Sequence, residues 1–410
     1  MTVLFIAKGK MYRIDSGKTS EIQSDVLKSY TEKIYANAKR NEWKTQGKGA
    51  VFTEQFEPGG DADTKVNSIR SFASAVACEG TSVIYSQTID DFSGLFIKKE
   101  DSAEGIIYSG TSELIREFDK IDNRIVASIG YSYTNESHIG VIEAGKSDCR
   151  MLTEGDSEDR YPVFSRFEEN VIYYSSSGLE INDDENKEAD EESDHGVNAL
   201  FTSGIRIKRR RGPAALCKLD VSALKAEELL SDGKYDYIKP STDEKGNIYF
   251  IRKPYEEDGG STSVLGCLTD ILFFPVRLVG GIIGFFNFLS VIFSGKNLRK
   301  SRDNAPAKTR KKSDGRIYIE GHAINAAKEL KKNSSGSEKY PGIIPSSYEL
   351  CKLYDGQISV IKKGVIAYAI DKDDVIISNG SALLRISGDG KQTKLSDIGC
   401  ITFVKIEQES

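Results

Sequence analysis

Residues 263–295 (SVLGCLTDILFFPVRLVGGIIGFFNFLSVIFSG) form one continuous apolar stretch whose only formal charges are Asp270 and Arg277. A helix needs roughly 20 apolar residues to cross a bilayer, so the stretch is long enough to span. Strand-like sequence lies on both sides of it and continues to the C-terminus. A single crossing would divide that strand-rich sequence between two compartments. A β-domain assembled from both flanks therefore requires the stretch to leave and return on one side. Pro275, Gly280, Gly281 and Gly284 offer places to bend or pack closely. A helix–break–helix lying in one leaflet would satisfy both the topology and the backbone hydrogen bonds.

Away from this stretch, apolar residues alternate with period two between turn residues, and long helical patterns are few. Four stretches read as variations on one unit. The first has runs starting at Ser82, Ser93 and Gly105, and the second at Ile125, His138 and Cys149. The third starts at Tyr161, Asn170, Ala215 and Ala226, and the last at Val365, Asp374, Ala382 and Lys391. About four strands per unit and a period near forty residues is the pattern of a propeller blade. One twisted sheet cannot cover both of its faces, whereas stacked sheets cover one another. The count gives six blades, one of them built from both ends of the chain: the run from Cys400 joins Val3, Lys10 and Thr19, which removes open edges. The expected fold is all-β, a six-bladed β-propeller of four-stranded blades closed by N- and C-terminal strands, with the apolar helical insertion at 263–295. The rival count is seven.

The wording of the third unit is more specific. Leu152, Thr153, Glu154, Gly155, then Tyr161, Pro162, Val163, Phe164, Ser165, then a strand from Asn170 ending in serine, resembles the repeat of the TolB-like β-propellers with WD40-like motifs. The motif covers about a third of the chain and the strand rhythm most of it. The resemblance implies a propeller whose loops converge on a binding face. Its exported role is not carried over, because the first fifteen residues read as strand, turn and strand, with no secretion signal.

Residues 1–410 are read as a single β-propeller domain with three insertions. Residues 30–60 are partly helical, and 182–211 are an acidic run followed by a basic one. Residues 256–315 hold the apolar segment and a basic linker. Membrane or partner contact is assigned to Leu272, Phe273, Phe274, Val276, Leu278, Ile282, Ile283, Phe285, Phe286, Phe288, Leu289, Ile292 and Phe293. Contact with anionic headgroups is assigned to Lys296, Arg299, Lys300, Lys308, Arg310, Lys311 and Lys312. A basic stretch beside an interfacial apolar element is attracted to anionic lipid by about 1 kcal/mol per charge near the surface. The other reading is packing against the propeller or in a homodimer interface.

Composition narrows the chemistry. Charged residues make up 29% of the chain and the net charge is −6, which argues against a nucleic-acid partner. The six cysteines are scattered without zinc-ligand spacing and read as reduced structural thiols of a cytoplasmic protein. No Gly-x-Ser-x-Gly elbow is present. His138, His195 and His322 have no readable catalytic partner. Asp61 and Asp63 lack a full calcium loop, and Asp15 to Thr19 lacks the upstream glycine of a phosphate loop. Arg206 to Arg211 follows an acidic run of similar size and reads as half of a self-neutralising pair.

The sequence thus points to no catalytic residue, cofactor or metal. It points to a non-catalytic scaffold or adaptor, peripheral to the cytoplasmic face of the membrane, with an unidentified protein partner. The alternatives are a hydrolase or lyase with an axial site drawn from several blades, and a soluble homo-oligomer that uses the apolar insertion as its interface.

Overall fold

The computed structural model describes residues 1–42, 62–99, 102–110, 112–131, 136–143, 145–146, 148–181, 209–256, 316–319, 322–336 and 338–407. The apolar segment 263–295, its basic flank 296–315, the acidic run 182–195 and the basic residues 206–208 lie outside the described residues. Every contact residue assigned above, at 272–293 and 296–312, falls there.

Strands dominate the described residues, in antiparallel sheets with few helices, and no sheet closes on itself. Sheet A has the spatial order Ile401–Ile406, Val3–Ala7, Lys10–Asp15, Lys18–Ile22, so the C-terminal strand pairs with the N-terminal one. Sheet B is Ser71–Glu79, Ser82–Ile89, Phe92–Lys98, Gly105–Ser109. Sheet C has nine strands and resolves into two four-stranded halves. One half is Glu113–Ile121, Arg124–Tyr131, Ser137–Glu143 and Cys149–Met151. The other is Ser157–Phe164, Val171–Ile181, Ala215–Asp220 and Lys225–Leu230, with Arg209–Arg211 added beside the far end of its second strand. A single parallel bridge, Ser137 to Glu158, joins the halves. Sheet D is Tyr235–Thr242, Ile248–Pro254, Glu349–Tyr354, Gln357–Lys363, and sheet E is Ala367–Asp371, Asp374–Ser378, Leu383–Ile386, Gln392–Ser396. Arg316–Ile319 and His322–Asn325 form a separate two-stranded hairpin; apart from these and Arg209–Arg211, the described strands make six four-stranded antiparallel sets.

The chain divides into two compact units. The first holds sheets A, B and E and the helices. Val3–Ala7 is buried on both faces, because Leu4 and Ile6 pack with Val76, Tyr85 and Phe96 of sheet B, while Val3, Phe5 and Ala7 pack with Ile376 and Leu383 of sheet E. A strand covered on both sides needs an uninterrupted apolar run, and VLFIA is one. Helix Asp25–Asn41 covers the helical-looking run from Tyr30. Ser24 caps it, accepting from the Leu27 amide at 3.1 Å, and the Glu104 carboxylate accepts from the Val26 amide at 2.7 Å.

The second unit repeats the arrangement with sheets C and D. Ile172 and Tyr174 face Val126, Ile139 and Val141 of the first half of sheet C. Val171 and Tyr173, on the opposite face, meet Tyr237, Ile248 and Phe250 of sheet D. Buried thiols fill gaps in this core: Cys217 is pushed up to about 12 and Cys351 to about 11, in both cases chiefly by burial, which makes them poor nucleophiles. Cys78, Cys149, Cys217, Cys351 and Cys400 are all free thiols.

Candidate functional site

The first strands of two four-stranded sets in the second unit carry the same irregularity. In Ser157–Phe164, Tyr161 and Pro162 stand opposite one partner residue, so the register slips between Arg160 and Val163. In Tyr235–Thr242, Lys239 and Pro240 do the same, between Ile238 and Ser241. A bulge tolerates proline because its missing N–H is not required by the ladder. Tyr161 and Lys239 both have φ of 55°, a left-handed conformation that is unfavourable for bulky residues and doubly so before proline. Such strain persists where the surroundings hold it in place. Here the two strained residues meet, with the Lys239 ammonium 5.6 Å from the Tyr161 ring centroid. Lys239 Nζ also donates to the Ile366 carbonyl at 3.0 Å.

Charged side chains gather around this pair. Arg160 stacks on the Tyr161 ring at 4.6 Å and forms a two-nitrogen pair with Glu117. Arg116 donates to Glu158 at 3.1 Å. Burial disfavours the charge on Arg160, yet Glu117 outweighs it and holds the guanidinium above its ordinary range. Arg116 is lowered by burial and then by the neighbouring Arg160. Arg116, Arg160 and Lys239 thus share this region with the carboxylates of Glu117 and Glu158. Next to them Asp119 takes both of its oxygens to Arg166 at 3.0 Å. Asp159 accepts from the hydroxyls of Thr153 and Ser176 at 2.6 Å each. The sequence places His138 in a strand, and it lies in Ser137–Glu143 with Nδ1 3.8 Å from Asp159 Oδ2. Among the described residues no set of three His, Cys, Asp or Glu side chains could hold a metal ion. Each named carboxylate in this cluster already has a donor.

The two ends of the longest insertion are also fixed. Ile248–Pro254 and Glu349–Tyr354 are adjacent antiparallel strands, with Arg252 opposite Glu349. Residues 255–348 therefore leave and re-enter at the same end of sheet D. Beneath that end lies an ion cluster that no sequence motif announces. Asp236, fully buried, is 2.5 Å from Lys253 Nζ and 3.0 Å from Arg211 Nη2, and it accepts from the Ala214 amide at 2.7 Å. Burial pushes the Asp236 carboxyl up, but Lys253 and Arg211 outweigh it and hold it below the ordinary range. Arg211 belongs to the basic run that the sequence assigns to a self-neutralising loop pair. Its partners include Asp236, Ser177 at 3.0 Å and the Tyr255 ring, so this arginine is a core anchor. The only available signal was the spacing of Asp236 and Lys253 across one hairpin, where they lie directly opposite.

Of the remaining sequence candidates, Asp15 to Lys18 forms a hairpin turn, and Asp63 lies in the first turn of helix Ala62–Asn67. Asp61 and His195 lie outside the described residues. No described helix is long and apolar enough to cross a membrane.

No family model matches the chain, and no curated protein matches it. Solved structures do. TolB from Acinetobacter baumannii aligns at 7% identity and a TM-score of 0.46, over 98% of this chain and 65% of that one. A protein from Lactobacillus plantarum aligns at 8% and 0.37, over 98% of each chain. A putative TolB from Agrobacterium tumefaciens aligns at 10% and 0.24, over 47% of this chain and 81% of that one. The chain thus spans about two thirds of the Acinetobacter TolB. Likenesses of this size assign neither an activity nor a partner.

Proposed function

We propose that the chain is a six-bladed β-propeller scaffold, attached to the cytoplasmic face of a membrane through the apolar insertion and binding a protein partner through the polar cluster around Tyr161. The six four-stranded sets and the face-to-face stacking in each unit support the propeller. The observation that carries the membrane reading is the pairing of Arg252 with Glu349. The two strands that flank residues 255–348 stand side by side, which suits a one-sided anchor. The basic residues 296–316 beside it favour an anionic cytoplasmic leaflet.

Vesicle flotation of the full chain and of a variant lacking residues 263–315 tests this. The full chain should float with vesicles containing phosphatidylglycerol and the variant should not. Should both stay at the bottom of the gradient, with the full chain a stable dimer and the variant a monomer, the apolar insertion is an oligomer interface instead.

A further inference from the structure

The outermost strand of sheet D, Gln357–Lys363, faces solvent along almost its whole length. Ile358, Val360 and Ile361 are 38%, 43% and 37% exposed, and Tyr354 just before them is 57% exposed. Register explains the exposure. Ile358 stands opposite Leu353 and Val360 opposite Cys351, and both of those partners pack against the second half of sheet C. The outer strand therefore extends a core face beyond its covering sheet. Ile361 is the extra residue where the register slips, before Lys362 opposite Leu350. The strand then ends in Lys362 and Lys363. Lys363 Nζ sits 3.3 Å from Glu349, which also holds Arg252 at 2.5 Å. Two cations share one carboxylate there, and the Lys363 side chain remains 63% exposed. Arg252, Glu349 and Lys363 occupy neighbouring register positions at the end of the sheet where residues 255–348 leave and return.

We propose that this strand is a second lipid-contacting surface, lying at headgroup level on an anionic bilayer. Ile358, Val360 and Ile361 face the boundary of the acyl chains, and Lys363, opposite Glu349 on the same face as Val360, faces phosphates. The inference rests on the membrane reading above and specifies which part of the folded sheet meets the lipid. Two observations select an anionic bilayer as the occupant. The positive excess lies at the end of the strand nearest the insertion, and exposed apolar side chains lie directly beside it on the same strand. An open sheet edge is excluded from hydrocarbon, but hydrated headgroups can serve its unpaired backbone groups. Contact about 5–10 Å deep is the depth expected for interfacial elements.

The test uses the full chain on vesicles of phosphatidylcholine with and without phosphatidylglycerol. Replacing Lys363 by Gln should weaken partition onto the anionic vesicles by roughly fivefold. A fluorophore on Ile358→Cys should shift to the blue on vesicle binding. If the wild-type chain binds while the Gln variant binds equally well and the probe does not shift, the strand is not a lipid surface and the insertion alone anchors the chain. If the full chain binds neither vesicle, the membrane reading falls together with this one. If replacing Ile358 and Val360 by Ser splits a dimer without changing vesicle partition, the surface belongs to a second copy and the proposal is overturned.

Discussion

At the scale of single residues, the Asp236 cluster sets how sheets C and D are joined. Asp236 holds Lys253 across its own hairpin and Arg211 from the strand that extends the second half of sheet C. Removing one member of a buried ion pair leaves an uncompensated charge and costs about 3–5 kcal/mol, whereas removing both charges costs far less. Asp236→Asn should therefore destabilise the chain by about that amount in urea unfolding. Adding Lys253→Met should recover part of the loss, and simple additivity of the two single changes would refute the pairing. The pH dependence follows from the sign of the shift. Asp236 is held below its ordinary value of 3.8. Its contribution is fully present above that value and is lost as pH falls through the lower, folded-state pKa. Wild type should lose stability on acidification below about pH 4 more steeply than the double variant does.

Turns decide register at the scale of elements, and two of them form a natural control. Lys8-Gly9 and Ser16-Gly17 are two-residue loops with positive φ at both positions, the mirror-image turns that match strand twist. Gly9 and Gly17 have nearly the same φ, 75° and 78°. A Cβ on Gly9 would lie 2.9 Å from Phe72 Cβ, while one on Gly17 would meet nothing within 4 Å. Gly17→Ala should cost only the left-handed backbone penalty, about 1–2 kcal/mol. Gly9→Ala should cost clearly more, because relieving the clash with Phe72 pulls apart the backbones that the bond from the Ala73 amide to the Gly9 carbonyl, at 2.8 Å, holds together. Equal losses of thermal stability would mean that Phe72 yields freely. This scale also shows what was legible in the sequence. Period-two runs marked all of sheet E and most strands of sheets B and C, but not Ser71–Glu79 or Glu113–Ile121, the first strands of those two sheets. Sheet D was not recognised as a unit, because its second and third strands are separated by residues 255–348. Yet the Lys239-Pro240 bulge repeats Tyr161-Pro162, and that offset was readable. The ion pairs around Tyr161 were not, since Arg116 and Glu117 lie on one strand and Glu158 and Arg160 on another, and alternation records only which face a residue takes.

For the molecule as a whole, the first compact unit depends on a contact between the two ends of the chain. Strand rhythm suggested the pairing, because joining the run from Cys400 to those at Val3, Lys10 and Thr19 completes a four-stranded set. Their ladder extends from Val3 opposite Ile406 to Ala7 opposite Ile401, and the Glu407 amide donates to the Thr2 carbonyl at 3.0 Å. Val3–Ala7 cannot serve as a sheet edge, because both of its faces are already buried against sheets B and E. Truncation after Gly399 would expose that edge and strip Ile401, Val404 and Ile406 from the core facing sheet E. At roughly 1.5–3 kcal/mol for each buried aliphatic side chain, the loss is about 5–9 kcal/mol, comparable with the entire stability of an ordinary domain. The truncated chain should therefore lose cooperative unfolding of the first unit, with fast amide exchange in Val3–Ala7. Protection should persist in Val171–Ile181, whose core lies in the second unit. Slow exchange throughout Val3–Ala7 in the truncated chain would show that the terminal strand is dispensable.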